Sequence, residues 1–321
     1  RGGARPRAGA AGGLRMRTVR TTCAYCGVGC GIAATVTGAR AVTIKGDADH
    51  PANAGALCSK GTHLGETVGL EGRLLHPMIG DRQASWDESL DHVAGRMRQC
   101  IAEHGPDSVA FYVSGQLLTE DYYVANKLMK GFIGSGNIDT NSRLCMASAV
   151  AAHNRAFGED LVPCTYADLD EADLILLVGS NTAWCHPVIW QRIEATRERT
   201  GCKLVVIDPR RTETAERADL HVAIAPDGDV ALFNALLGEM AARGQLDTGY
   251  LAAHCEVPDG FIAGLDSASH GSETATFAAL ADLVAAHPRM VSVFSMGVNQ
   301  SVCGTDKANA IINLHLATGR I

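Results

Sequence analysis

Asp173-Leu-Ile-Leu-Leu-Val178 and Lys203-Leu-Val-Val-Ile207 are two short, almost wholly apolar runs. Runs of this kind suit strands covered on both faces, which is how parallel sheets are built. Residues 189–199 between them read as a helix, and strand, helix and strand make one right-handed βαβ unit. His221-Val-Ala-Ile224 and Met290-Val-Ser-Val-Phe294 read as further strands, with helical stretches around 229–243 and 306–318 after them. The fold class is therefore α/β, Rossmann-like, with largely parallel sheets.

Upstream, Ser85 followed by Glu88 reads as a capping box, opening a helix whose apolar stripe runs Leu90, Val93, Ala94, Met97 and Ile101 until Gly105 ends it. A strand over 108–113 and helices over 120–132 and 143–157 continue the α/β pattern. Residues 18–75 are different: short β-type runs, Ile32-Ala-Ala-Thr-Val36 and Ala41-Val-Thr-Ile44, lie among Gly and Cys, as in a small β-rich domain whose core is thin without a metal. The expected organisation is a disordered or non-native leader over 1–17, with Met16 a candidate start, and a cluster-binding domain over 18–75. A first α/β segment over 76–141, a Rossmann-like dinucleotide-binding domain over 142–288 and a return to the α/β domain over 289–321 complete it.

The chain has 321 residues, 46% hydrophobic and 20% charged, enough to bury a large core. Its net charge of -7, with Lys and Arg scattered, disfavours nucleic acid and anionic lipid as partners. No run of about 18 apolar residues is present, and the start shows neither a secretory apolar run nor paired arginines, so a cytoplasmic, membrane-free location is expected. Eleven cysteines, four of them in one asymmetric group, suit metal ligation in a reducing compartment better than a disulfide framework.

That group is Cys23, Cys26, Cys30 and Cys58, spaced C-x2-C-x3-C-x27-C. Three thiolates on one tight loop can hold three corners of an iron-sulfur cubane, with the fourth coming from afar. Gly27, Gly29 and Gly31 interleave them, and positive φ at these glycines would let the backbone curl its N–H groups toward the sulfurs. Structural zinc is the rival reading, though it usually takes paired C-x2-C knuckles. Lys60 stands two residues beyond Cys58, where an ordinary solvated lysine is the plain alternative to a functional one.

Cys145 stands alone, after the Gly-rich stretch 134–141 and in the first turn of the helix expected over 143–157, where the helix dipole favours a thiolate. A metal ligand and a small core residue are both open there. Gly179-Ser-Asn181 follows the strand ending at Val178, where an open α/β sheet offers backbone N–H groups to phosphates. Asp208 ends the next strand, placed to accept from ribose hydroxyls, and Arg210 and Arg211 follow as phosphate partners or as members of a loop salt bridge. Neither G-x-G-x-x-G nor G-x-x-x-x-G-K-[ST] occurs, so a nicotinamide or nucleoside triphosphate ligand lacks its fingerprint.

Four segments together, the cysteine group with Lys60, Asn141–Val150, Gly179–Pro187 and Met296–Ser301, resemble the molybdopterin-dependent oxidoreductases of the dimethyl sulfoxide reductase superfamily. Within it the likeness is to the assimilatory nitrate reductase catalytic subunit, over residues 19–321. The resemblance implies a [4Fe-4S] cluster on the four early cysteines and Mo-bis(molybdopterin guanine dinucleotide), with Cys145 as the side-chain ligand of molybdenum. It implies cofactor contacts from Gln116, Asn141, Gly179, Ser180, Asn181, Cys185, His186, Asp208, Pro209, Arg210, Arg211, Thr212, Asp227, Gly228, Asp229, Met296 and Gln300. Lys60 would lie between cluster and pterin, on the path of the electrons.

Met146 occupies the position where the superfamily's formate dehydrogenases usually place a histidine. A thioether offers no base, so oxygen-atom transfer from nitrate is favoured over proton abstraction from formate. A formate dehydrogenase, or for this stretch alone an iron-sulfur electron-transfer module, are the alternatives. The resemblance also implies an electron donor (ferredoxin, flavodoxin or a nicotinamide-linked subunit) and a whole member more than twice this length, of which this chain would be the front part.

Overall fold

The chain begins, among the described residues, with a three-stranded antiparallel meander, β1 (Arg17–Thr22), β2 (Gly31–Gly38) and β3 (Ala41–Gly46), in a computed structural model that describes residues 16–265 and 271–321. Of the leader expected over 1–17, residues 1–15 lie outside the described residues, while Arg17 opens β1 and so belongs to the meander. Only Val28, Cys30, Ile32 and Ala52 are buried apolar side chains in this part of the chain, the thin core anticipated for it. It forms a compact unit from residues 16–73 together with Cys185–Arg192. Val188, 3% exposed, and the half-buried Ile189 bring apolar cover to Val28 and Cys30, a contribution from far along the chain.

The second unit comprises Leu74–Trp184 and Ile193–Ile321. It starts with the hairpin β4 (Met78–Ile79) and β5 (Arg82–Gln83), then a parallel pair, β6 (Phe111–Val113) and β7 (Ile138–Thr140). Its larger sheet holds β8 (Leu174–Val178), β9 (Lys203–Ile207), β10 (Leu220–Val222) and β11 (Met290–Phe294) in the order β10-β9-β8-β11, all parallel. All five residues of β8 are fully buried, and at roughly 1.5–3 kcal/mol per large apolar side chain this strand anchors the fold. The helices Asp229–Ala242, Thr274–Ala286 and Gly304–Ala317 cover it with Leu232, Phe233, Leu236, Leu280 and Leu314.

Several expectations need correction. Residues 289–321 do not return to the segment 76–141: β11 pairs with β8 along its whole length and completes the larger sheet. The strand expected over 108–113 is only Phe111–Val113, because Pro106–Ser108 forms a tight helical turn. The helix expected over 120–132 starts at Thr119 and widens into a π-type turn over Lys127–Ile133. The capped helix is Trp86–His104, with the Ser85 hydroxyl accepting from Glu88 N at 3.1 Å as expected. Its apolar stripe is covered only in part: Leu90 and Val93 are 59% and 54% exposed, whereas Met97 and Ile101 are half-buried.

Candidate cluster and cofactor sites

In the small unit, the amide of Cys23 donates to the carbonyl of Cys30 at 2.8 Å, closing the loop that carries the first three cysteines. Of its three glycines only Gly29 takes a positive φ, +70°, so the expectation that all three do so is corrected. Gly31 is required for a different reason: a Cβ there would fall 2.3 Å from the His50 side chain. The buried amide of Asn53 ties this loop to the fourth cysteine. Its Oδ1 accepts from Gly31 N at 2.8 Å, while Nδ2 donates to Gly31 O at 3.0 Å and to Ala56 O at 2.8 Å. Cys58, two residues on, precedes the short helix Ser59–Thr62.

Cys23, Cys26 and Cys58 pack around the buried Cys30 together with Val28 and Val188. Burial first, then the charges of Cys26, Cys23 and Cys58, push the Cys30 thiol up to about 11. The four sulfurs thus lie within electrostatic reach, and as thiolates in an apolar pocket they repel unless a cationic centre neutralises them. All four donors are thiols, three on one loop and the fourth from a separate segment, the ligand pattern of an iron-sulfur cubane. The donor set fits a cluster.

Lys60 is exposed, with Nζ 6.0 Å from the Tyr25 ring centroid, the outer range of a cation–π contact. His186, in the same unit, is held below the usual imidazole range by burial and, secondarily, by the charge of Lys60. Its neighbour Cys185 is exposed.

The other set of residues gathers at the carboxyl end of the larger sheet. Successive strands run from β8 outward to β9 and β10, whereas β11 lies on the opposite side of β8, so the direction of winding reverses between β8 and β11. Open α/β sheets bind ligands in the crevice at such a reversal. Its floor is close-packed backbone: Gly297 N donates to Gly179 O at 3.0 Å and Ser295 N to Val178 O at 3.2 Å. On the β11 side Met296 and Gln300 are exposed.

On the β8 side the loop is braced from within. Ser180, 2% exposed, shares a 2.9 Å hydrogen bond with Thr182, and Asn181 Oδ1 accepts from the Thr214 hydroxyl at 2.7 Å. The hydroxyl of Ser180 therefore faces the protein. After β9, the buried Asp208 accepts from Arg210 N at 2.8 Å and Thr212 caps the turn Glu213–Glu216. Pro209, Arg210 and Arg211 remain exposed, two guanidinium groups suited to a pyrophosphate. After β10, Asp227 adopts φ +66°, Gly228 precedes the helix, and Asp229 is its buried first residue.

Lys307, not anticipated from the sequence, holds that loop. It is 2% exposed, and its Nζ lies 2.7 Å from Asp227 Oδ1, 3.0 Å from Asp229 Oδ2 and 3.4 Å from Gly297 O. Hydrogen bonds from Lys307 and then Ser301 keep the Asp227 carboxyl below the usual carboxylate range. A lysine inside the apolar run of Gly304–Ala317 was the available signal.

Cys145 also departs from expectation. The helix over 143–157 is broken at Met146, φ −142° and ψ 6°, into Ser142–Cys145 and Ala147–Phe157. Cys145 therefore ends one turn and lies just before the next helix, rather than within its first turn. Asn141 Oδ1 accepts from Gly115 N at 2.5 Å, which fixes the exposed Gln116 loop beside this turn.

The sequence profile of the molybdopterin oxidoreductase family matches residues 73–321. The chain belongs to that family. The profile of the molybdopterin oxidoreductase Fe4S4 domain matches residues 16–69, the meander and the cysteine loop. A molybdopterin cofactor and a 4Fe-4S cluster are accordingly the groups that this molybdopterin oxidoreductase chain is built to hold. The nitrate reductase of Klebsiella oxytoca is 51% identical over 308 residues, 95% of this chain and 36% of that protein. The nitrate reductase of Shewanella frigidimarina is 47% identical, over 95% of this chain and 34% of that protein. The chain thus spans about a third of the length of these relatives. Acetylene hydratase from Pelobacter acetylenicus shares the fold, with TM-score 0.71 over 94% of this chain and 43% of that one, at 22% identity. Among the described residues no helix is long and apolar enough to cross a membrane.

Proposed function

We propose that this chain is the part of a nitrate reductase that holds the [4Fe-4S] cluster and much of a Mo-bis(molybdopterin guanine dinucleotide) cofactor. The overall reaction is nitrate plus two electrons and two protons to nitrite and water. When bound, the molybdenum supplies two-electron oxygen-atom transfer and the cluster supplies single electrons. The residues of the chain hold and orient these groups. Cys23, Cys26, Cys30 and Cys58 ligate the cluster, and Cys145 ligates molybdenum. Arg210 and Arg211 meet a pyrophosphate, the carboxylates of Asp208 and Asp227 accept from ribose or guanine donors, and Gln116, Asn141, His186, Met296 and Gln300 contact the pterin or nucleoside parts. Lys60 provides positive charge along the electron route.

The observation that carries the nitrate reading is the pair Cys145-Met146. The thiol stands at a helix break, and Met146, 43% exposed, puts an apolar thioether beside it and no proton acceptor. The 51% identity to a nitrate reductase supports the same substrate. A protein donor such as ferredoxin, flavodoxin or a nicotinamide-linked subunit, and a cytoplasmic location, belong to the same proposal. The test is the complete polypeptide matured in a host that makes the pterin, assayed with a reduced dye against nitrate and, with an oxidised dye, against formate. Nitrate turnover that disappears with Cys145→Ala is the expected result. Formate oxidation without nitrate turnover, or full activity in the Cys145→Ala enzyme, overturns it.

A further inference from the structure

In an unbroken helix the carbonyl of Cys145 would accept from the amide four residues on. Here the amides of Ala149 and Val150 both turn to the carbonyl of Met146, at 3.0 and 3.2 Å. The break thus strips Cys145 O of its helical partner. The side-chain amide of Asn299, 7% exposed, takes that place by donating Nδ2–H to Cys145 O. A carbonyl shielded in part from water and left without a donor is costly, so a break at this point favours a replacement partner. Asn299 is itself held: it closes the turn Met296–Asn299 after β11, its own amide donates to Ser295 O at 3.3 Å, and Gly297 in the same turn is braced by Gly179 and Lys307.

We propose that Asn299 is the positioning residue for the thiol of Cys145: its amide stabilises the helix break and so sets where the sulfur stands relative to the floor between β8 and β11. The inference rests on the reading of Cys145 as the molybdenum ligand. It makes Asn299, from a distant part of the chain, a determinant of metal geometry without touching the metal.

The experiment uses the full-length enzyme carrying both groups, comparing wild type, Asn299→Asp, Asn299→Ala and Cys145→Ala. Asp keeps the size of Asn but replaces the donor by an acceptor that repels Cys145 O; Ala removes the donor without adding charge, and serves where Asp prevents folding. Iron content and melting temperature report an intact fold. The deciding readouts are the g-values and linewidth of the Mo(V) electron paramagnetic resonance signal, and kcat separately from KM for nitrate. Expected are wild-type iron, a shifted or broadened Mo(V) signal, and a kcat at least tenfold lower with KM within twofold. A wild-type Mo(V) signal with wild-type kcat in a folded Asn299 variant overturns the inference alone. A Mo(V) signal that survives Cys145→Ala unchanged overturns the ligand reading, and the inference with it.

Discussion

Gly179 and Gly297 stand backbone against backbone: a Cβ on Gly179 would fall 2.7 Å from the Cα of Gly297, and one on Gly297 would fall 2.6 Å from the Cα of Gly179. Two loops that approach this closely cannot yield by rotating a side chain. Gly179 also has φ +54°, a region that costs other residues energy. Gly179→Ala is therefore expected to destabilise the larger unit by about 1–3 kcal/mol from backbone strain and overlap. Urea unfolding checks it, and a loss below 0.5 kcal/mol would show that the loops separate at little cost.

Lys307 supplies a second prediction. Lys307→Met leaves the buried Asp229 and the carboxylate of Asp227 without their shared cation. For the buried Lys307–Asp229 pair, breaking it from one side typically costs about 3 kcal/mol or more; Asp227 is exposed and adds less. The sign with pH follows from Asp227, whose folded value lies below the ordinary 3.8. Its contribution is complete above that ordinary value and fades as pH falls through the lower, folded one. The gap between variant and wild type should then narrow on acidification below pH 3.8, and a gap that widens there contradicts the ion-pair account.

Asn53 supplies a third. Asn53→Leu removes the side-chain bonds that join Gly31 to Ala56; Gly31 O keeps the amide of Asp47 at 2.9 Å, whereas Gly31 N and Ala56 O lose these partners, at about 1–3 kcal/mol each where no other partner replaces them. The expected outcome is an iron content at most half of wild type after identical maturation, measured on the full chain. Undiminished iron would show that the cysteine loops hold their places without the amide.

Cys202 supplies a fourth. Burial, and then the charge of Asp173, push its thiol up to about 11 from the ordinary 9.0. The thiolate is the reacting form, so at pH 8 iodoacetamide should modify exposed Cys185 and spare Cys202 until the protein unfolds, as read by mass spectrometry. The fold binds this proton more tightly than the unfolded chain does, so its contribution to stability declines as pH rises from 9.0 toward about 11. Equal labelling of both cysteines in the native protein would contradict the burial.

β8 and β9 were legible because a strand buried on both faces must be apolar at every position, and composition alone then reports it. The pairing of β11 with β8 was not, since each paired residue lies 116 positions from its partner (290 minus 174) and partner choice across such a gap leaves no local mark. The helix Thr274–Ala286 is apolar nearly all round, so no stripe announces it. The cysteine spacing carried its chemistry in residue type, and the Fe4S4 domain profile matches the stretch that holds it. Asn53, Asn299 and Lys307 did not, because each acquires its role from a partner fixed only by folding; Asn299 and Cys145 are 154 positions apart. The break at Met146 was hidden for the same reason, as the carbonyl it frees is satisfied from elsewhere.

The stretch Cys185–Arg192 belongs to the same unit as the four early cysteines and brings Val188 against Cys30. During synthesis the cysteines therefore leave the ribosome well before the apolar cover that seals their pocket. Loading of iron before that cover arrives would take place in an open, water-filled loop. A gene cut after Arg73 would likewise yield a domain with a missing wall, so excising the cluster module requires the later octapeptide to be grafted back.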